Sequence, residues 1–184
     1  MTAMSQAGKV VVVTGIMAAG KSTVAQALAE RLPRSVHLRG DLFRRMIVNG
    51  QADVTPENWE DAERQLHLRQ DIATTVARMY ADHGYAVCYQ DVIVGADLER
   101  VVSLLEPMQR PVYVIVLAPS ADVVQGRDER RNKTGYVDWT VEEMDRSLRE
   151  ETLRLGYWLD SSALSVPETV DEILANLEAS RIAR

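Results

Sequence analysis

The residues with the clearest chemical potential are Gly15 to Ser22, which read GIMAAGKS and match the pattern G-x-x-x-x-G-K-[S/T]. Gly15 and Gly20 let the backbone curl so that successive N–H groups face inward and form a nest for anions, backed by the N-terminus of the next helix. Lys21 can reach the terminal phosphates of a nucleotide, and the Ser22 hydroxyl can ligate Mg²⁺. We therefore expect this loop to bind a nucleoside triphosphate. The residues expected to contact the nucleotide are Gly15, Ala18, Ala19, Gly20, Lys21, Ser22 and Thr23.

A second group with chemical potential lies in LRGDLFRRMIVNG, Leu38 to Gly50, where Asp41 follows a short apolar stretch. Strand ends of a parallel sheet gather at the carboxyl edge, where ligands bind, so Asp41 should lie beside the γ-phosphate held by Lys21. A carboxylate there can orient an acceptor hydroxyl and take its proton, and Arg44 can bind a polar or anionic group of the acceptor. Asp41 also has a structural interpretation as the N-cap of a helix over residues 42–48, with Arg45 facing solvent.

Asp91 ends another apolar stretch, YAVCYQD, and is the second acid expected at this edge. It can hold the water shell of Mg²⁺ or touch the acceptor, and a plain strand-terminating turn is the alternative interpretation.

The segment GRDERRNK contains Arg127, Arg130 and Arg131, which share one helix face because they are spaced i, i+3 and i+4. Phosphoryl transfer benefits from arginines that close over the charged oxygens. We expect a lid over about residues 120–139, with Arg127 and Arg131 as catalytic contacts; a solvated helix with salt bridges is the alternative. The large side chains that could line an acceptor pocket, or simply pack, are Phe43, Met46, Trp59, Tyr136 and Trp139.

The elements that must position these residues alternate between apolar strands and helices, which indicates a parallel sheet covered on both faces. Strands are predicted over residues 10–14, 35–38, 85–90, 111–118 and 157–160. Helices are predicted over about 21–32, from Thr55-Pro56 to His83-Gly84, over 97–106, from an N-cap at Ser120, from a capping box at Thr140 and Glu143, and over about 167–178.

Length and composition set the limits of the interpretation. The 184 residues suit one domain, 1–184, with 21 basic and 27 acidic residues giving a net charge of −6. This charge disfavours nucleic acid as a partner without excluding it. There is no apolar run of membrane-spanning length and no signal-peptide pattern, and the single cysteine fits a reducing compartment, so the expected location is the cytoplasm, away from membranes. The sequence gives no indication of the oligomeric state.

The class of nucleotide-binding protein can be narrowed by elimination. A switch GTPase needs N-K-x-D, and the nearest string, NKTG at residues 132–135, lacks the aspartate. A large mechanical ATPase needs a longer chain. A small phosphotransferase remains.

The sequence resembles the small P-loop kinases of the nucleoside-monophosphate-kinase fold, with most likeness to chloramphenicol-phosphotransferase-like and polynucleotide-kinase-like ATPases. The resemblance rests on GIMAAGKST, on Asp41 and Arg44, on RDERR, and on LDSSALSVPETVDEIL, and it covers nearly the whole chain. GDLFR is also similar to adenylylsulfate kinases. The resemblance implies a three-layer fold with a five-stranded parallel sheet in the order 2-3-1-4-5, ATP as donor, Mg²⁺, an arginine-rich lid, and Asp41 as general base.

The function expected from the sequence is transfer of the γ-phosphate of ATP to a hydroxyl of a small molecule, such as an antibiotic or another amphipathic metabolite. Apolar and aromatic residues near Asp41 favour such an acceptor over a highly charged one. Two alternatives remain open: a polynucleotide 5′-hydroxyl kinase, and a regulatory module that hydrolyses ATP without an acceptor.

Overall fold

A five-stranded parallel sheet organises the fold. The computed structural model describes residues 8–52, 58–130 and 139–183. Its strands are β1 (Lys9–Thr14), β2 (Ser35–Arg39), β3 (Ala86–Gln90), β4 (Val112–Leu117) and β5 (Tyr157–Leu159). The strands lie side by side in the order β2-β3-β1-β4-β5, and every neighbouring pair is parallel. The strand order implied by the resemblance is confirmed.

The central strands are buried because both of their faces are apolar. Residues 10–13, four consecutive valines in β1, have no solvent exposure, and all of β3 and β4 is buried. In the sheet, Val11 is in register with Cys88 on one side and with Tyr113 on the other. Such a continuous apolar strand requires helices on both faces.

The helices cover those faces in pairs. They are α1 (Lys21–Arg31), α2 (Asp41–Arg45), α3 (Trp59–Asp82), α4 (Ala96–Leu105), α5 (Ala121–Glu129), α6 (Val141–Arg146) and α7 (Val166–Ala175). A π-helical turn (Ser147–Glu151) follows α6, and a 3₁₀ turn (Glu178–Ser180) follows α7. Helix α1 packs with α7, α3 packs with α4, and both α1 and α3 contact the sheet. The strands are therefore enclosed, as predicted.

Helix starts agree with the sequence in part. Thr140 and Glu143 form the predicted capping box of α6, and Ser165 forms another at α7. Ser120 is at the N-cap position of α5, but its side chain makes no capping hydrogen bond. The predicted start of the long helix at Thr55-Pro56 lies outside the described residues.

The structure corrects the interpretation of Asp41 as an N-cap. Helix α2 begins at Asp41 itself and ends at Arg45, so Gly40 occupies the N-cap position and no helix continues to Val48. The reason is that β2 pairing extends one residue further, since the Gly40 N–H donates to the Gln90 carbonyl at 3.0 Å. Asp41 is therefore the first residue of a short helix after the strand, and its carboxylate does not cap that helix.

Within the described ranges, no helix has both the length and the apolar character needed to cross a membrane.

Candidate active site

The loop between β1 and α1 has the backbone of an anion nest. Gly15, Ala18 and Gly20 have φ angles of 146°, 60° and 97°. Ala18 is a residue with a side chain in the left-handed region, which is uncommon and points to a loop whose shape is imposed by function. A Cβ on Gly15 would lie 2.4 Å from the Leu117 carbonyl oxygen, so β4 also requires glycine there. The shape of the loop therefore depends both on its own glycines and on its packing against β4.

Lys21 is held over this loop at the first position of α1. Its side chain is buried, with 8% of the residue exposed, and its Nζ donates to the Ile16 carbonyl at 2.7 Å. Ser22 follows in the same turn and is partly exposed, and Thr23 is exposed. A partly exposed hydroxyl beside an anion nest is a suitable Mg²⁺ ligand, so Ser22 fits the predicted role.

Arg127 connects α5 to the loop. Its Nη1 donates to the Ala19 carbonyl at 3.2 Å and its Nη2 to the Ser161 carbonyl at 3.4 Å. Arg130, one turn later, bonds instead to the Gly126 carbonyl of its own helix and is exposed. Arg131 lies outside the described residues. Of the two described arginines of this segment, Arg127 contacts the nucleotide loop and Arg130 does not.

The ends of β2 and β3 meet at Gly40 and Asp91. A Cβ added to Gly40 would collide with the Asp91 side chain, so glycine at this position leaves room for that carboxylate at the end of β2. Burial of Asp91 is the largest influence on its pKa and raises it, while the charge of Lys21 lowers the pKa and that of Asp41 raises it by smaller amounts. The three charged groups are therefore near enough to influence one another at this edge of the sheet.

Asp91 is bound by an arginine that the sequence analysis missed. Arg69 of α3 approaches through Nε, 3.0 Å from Oδ2, and donates from Nη2 to Oδ1 at 3.1 Å; the Val92 N–H donates to Oδ1 at 2.8 Å. Asp91 is 5% exposed, and this burial raises its pKa while Arg69 opposes the shift. Both carboxylate oxygens thus face Arg69, and the predicted contact of Asp91 with Mg²⁺ through water stays a prediction.

A sequence signal for Arg69 did exist. Arg69 is seven residues after Ala62 and four before Ala73, both buried, so it falls in the apolar stripe of α3. An arginine in such a stripe requires a buried acid as partner. What the sequence did not give was the identity of that acid.

Asp41 is flanked by two arginines. Arg45 Nη2 donates to Asp41 Oδ2 at 2.7 Å, and Arg39 Nε is 3.8 Å from Oδ1. Arg45 is exposed, as expected, and pairs with Asp41 on that exposed surface. Arg44 turns the other way, and its Nη2 donates to the Ala52 carbonyl at 3.2 Å.

A cavity of about 650 Å³ adjoins this edge of the sheet. Its walls come from Met17 of the nucleotide loop, from α2, from the segment after β3, from α3, and from the region of α6 and the π-helical turn. The α3 residues are Trp59, Ala62, Glu63, Gln65, Leu66 and Arg69; the last wall is Trp139, Glu143, Met144, Arg146, Ser147 and Glu151. A cavity of this size next to a nucleotide loop can hold a small acceptor.

The predicted pocket residues divide into two sets. Arg44, Trp59 and Trp139 line the cavity. Phe43 packs against the core and Met46 is exposed, so neither is among the described lining residues, and Tyr136 lies outside the described part of the chain. Asp41 and Asp91 are also absent from the described lining; Arg44 and Arg69 stand there beside them.

The π-helical turn forms a braced wall of the cavity. The Thr152 hydroxyl donates to the Ser147 carbonyl at 3.0 Å and accepts from the Gly95 N–H at 2.7 Å, which ties the turn to the segment after β3. Single π-helical turns are frequent at functional sites. Ser147 and Glu151 are held in the wall by this bracing.

Comparison with known proteins identifies the family. A family model described as an AAA domain matches residues 10–151 of the 184 in the chain. The chain belongs to this AAA domain family. A UPF0200 protein of Aeropyrum pernix from the curated proteins is 30% identical to it over 177 residues, which are 95% of this chain and 92% of that protein.

Solved structures show the same fold. The tunicamycin resistance protein of Deinococcus radiodurans is 20% identical to the present chain, with a TM-score of 0.67. The match covers 96% of the present chain and 99% of the tunicamycin resistance protein. The APS kinase of Mycobacterium tuberculosis, solved in complex with AMPPNP and APS, is 18% identical, with a TM-score of 0.68 over 93% and 98% of the two chains. At these identities the likeness confirms the fold of the small P-loop kinases.

Proposed function

We propose that the protein is an ATP-dependent phosphotransferase that moves the γ-phosphate of ATP to a hydroxyl of a small molecule bound in the 650 Å³ cavity. The observation that carries this proposal is the shared wall: Met17 belongs to both the nucleotide loop and the cavity lining. An acceptor in the cavity would therefore be next to the terminal phosphate. Phosphoryl transfer depends mainly on such positioning and on charge stabilisation.

The donor side is served by three residues with distinct tasks. Lys21 holds the terminal phosphates, and its present bond to the Ile16 carbonyl is exchanged for phosphate oxygens. Ser22 holds Mg²⁺, which supplies charge neutralisation at those oxygens when bound. Arg127, already at the Ala19 carbonyl, stabilises the negative charge that spreads over the transferring group.

Asp41 is the general base in this proposal. Its Oδ1 accepts no hydrogen bond from the described residues, although Arg39 Nε is 3.8 Å away, and we assign this oxygen to the hydroxyl of the acceptor. Arg45 binds the other oxygen and fixes the orientation of the carboxylate. The proton of the hydroxyl passes to Oδ1 as the oxygen attacks the γ-phosphate.

Asp91 acts through Arg69 in this proposal. Asp91 engages Nε and Nη2 of the guanidinium, and Arg69 is also one of the residues that line the cavity. Arg69 then donates to a polar oxygen of the acceptor, and Arg44 offers a second donor from α2.

The charges of the cavity lining support a small acceptor over a nucleic acid. Among the described lining residues there are three arginines, at positions 44, 69 and 146, and four acids, at positions 63, 97, 143 and 151. A polynucleotide backbone needs an excess of positive charge. If a 5′-hydroxyl oligonucleotide were nevertheless the acceptor, its binding would weaken by roughly one logarithmic unit per phosphate contact for each tenfold rise in salt.

The test is a transfer experiment with γ-labelled ATP, Mg²⁺ and a pooled library of hydroxyl compounds, in which labelled products are identified by mass. We expect a labelled phosphate ester that is absent with Lys21→Ala. Release of labelled phosphate without any ester, unchanged by the whole library, would contradict the proposal and favour the regulatory ATPase.

A further inference from the structure

Two tryptophans meet at one wall of the cavity although they are distant in sequence. Trp59 begins α3 and Trp139 precedes α6, and their ring centroids are 6.4 Å apart at an angle of 55°. They are 47% and 45% exposed. A pair of large aromatic rings left half exposed in a concave site has unused apolar surface that a ligand can bury.

The residues of α3 that face the cavity form one continuous stripe. Trp59, Glu63, Leu66 and Arg69 follow a helical spacing of four, three and three residues, and all four line the cavity. At 1.5 Å per residue, the tryptophan is about 15 Å along the helix axis from the arginine. An occupant that uses both ends must therefore extend from the strand edge to the tryptophans.

The charge of the lining restricts the occupant further. Arg69 is neutralised by Asp91, and Asp97 accepts from His67 at 3.2 Å. Glu63 is exposed on the stripe between Trp59 and Arg69. Since acids outnumber arginines in the described part of the lining, we expect this part to repel an occupant with several negative charges.

We propose that Trp59 and Trp139 form an aromatic clamp for a flat ring of the acceptor, and that this acceptor is uncharged or cationic. The proposal rests on the proposed function for the identity of the occupant as acceptor. The flat ring packs on the indoles, and the hydroxyl at the far end reaches the strand edge near Asp41.

The test uses four probes of one size: naphthylmethanol, its saturated analogue decahydronaphthylmethanol, naphthylmethylamine and naphthoate. The protein is kept in ADP and Mg²⁺ so that the nucleotide site is filled. Indole N–H signals in a nitrogen–proton NMR spectrum report binding, because the chain has three tryptophans. Trp158 is the internal reference, since its Nε1 donates to the Leu155 carbonyl and Arg154 stacks on its ring.

We expect naphthylmethanol to shift the signals of Trp59 and Trp139 and to leave Trp158 unchanged. Its affinity should exceed that of the saturated analogue by roughly threefold to tenfold, the size of an aromatic contact. The amine should bind at least as well as the alcohol, and naphthoate should bind most weakly. Trp59→Leu and Trp139→Leu should each reduce the preference for the flat ring, and Trp158→Phe should not.

Three outcomes would overturn the clamp: equal affinity for the flat and saturated alcohols, a ring preference that survives in the double variant Trp59→Leu/Trp139→Leu, or no shift of either indole at millimolar probe. Tightest binding of naphthoate would overturn the charge assignment. Because this measurement needs no turnover, a protein that transfers no phosphate can still show the clamp, and a kinase without the ring preference refutes the clamp alone.

Discussion

The nucleotide loop and the acceptor cavity are built in opposite ways. The loop is one continuous segment, Gly15 to Ser22, whose shape depends on its own glycines and on the Leu117 carbonyl. The cavity takes its walls from residues as far apart as Met17 and Glu151. The loop is a short backbone structure, whereas the cavity combines apolar, aromatic and charged side chains from several elements.

Because of this difference, we expect substitutions in the loop and in the cavity to reduce activity to different extents. Loop residues act on phosphates that every turnover shares, so their loss should be severe whatever the acceptor is. Cavity residues act on one part of the acceptor each, and their loss should be graded. Four substitutions in and around the site test this expectation, and they are ordered here by the size of the effect.

Replacing Lys21 by alanine should have the largest effect. It removes the charge that follows the phosphates into the transition state, so kcat should fall by more than about 10³-fold. Circular dichroism and the transfer assay would measure fold and activity together. The matched control is Lys9→Ala, at the partly exposed start of β1, which should remain active. An active Lys21→Ala protein would break the assignment of the loop.

Asp41→Asn should come next, because it keeps the shape of the side chain and removes its basicity. Loss of a general base lowers kcat by roughly 10²-fold or more, while nucleotide affinity should barely change. Stability should also survive, since Asp41 is not an N-cap. The comparison variant is Asp171→Asn, whose carboxylate pairs with Arg31 on the surface. Near-normal kcat in Asp41→Asn would leave this aspartate without a catalytic role.

Arg69→Ala should mainly affect stability, because it leaves Asp91 buried without its cation. Breaking a buried pair costs about 3 kcal/mol, or roughly a 10²-fold change in the folding equilibrium. The folded-state pKa of Asp91, already raised by burial, should rise further. Protonation then relieves the penalty, so the loss should be full above that pKa and should shrink as the pH falls through it.

Denaturant unfolding at neutral and at mildly acidic pH would measure this dependence. The double variant Arg69→Ala/Asp91→Asn removes the unpaired charge and should recover much of the stability at neutral pH. A loss of stability in Arg69→Ala that does not change with pH would show that the ion pair is not its cause.

Arg127→Ala should have the smallest effect of the four and lower kcat about tenfold. This loss is smaller than is usual for a donor positioned at the transition state, because in the proposed site Lys21 also contacts the phosphates. The affinity for ADP should fall less than kcat, because the negative charge that Arg127 stabilises develops only during transfer. Arg130→Ala is the neighbouring control, because that side chain bonds within its own helix. Equal activity of the two variants would make α5 a surface helix without a role in transfer.

Features that depend on residues close together in the sequence were predicted better than features that depend on residues far apart. The alternation of strands and helices, the anion nest and the capping box at Thr140 were predicted, because each depends on a repeating pattern or on residues within one turn. The strand order was implied by the resemblance to the small P-loop kinases and is confirmed. The start of α2 was predicted one residue too late, because the pairing of Gly40 with Gln90 across strands decides where β2 ends.

A phosphate-binding loop in a parallel α/β fold could be predicted from the sequence, since glycine spacing and apolar periodicity act locally. The pairing of Asp41 with Arg45 is equally local, because the two residues are four apart in one helix. The contacts of Arg69 with Asp91 and of Trp59 with Trp139 join distant segments and depend on the tertiary structure. The physical reason is that the sequence shows each side chain and its nearest neighbours along the chain. Which partners meet across the cavity depends on how the helices pack on the sheet.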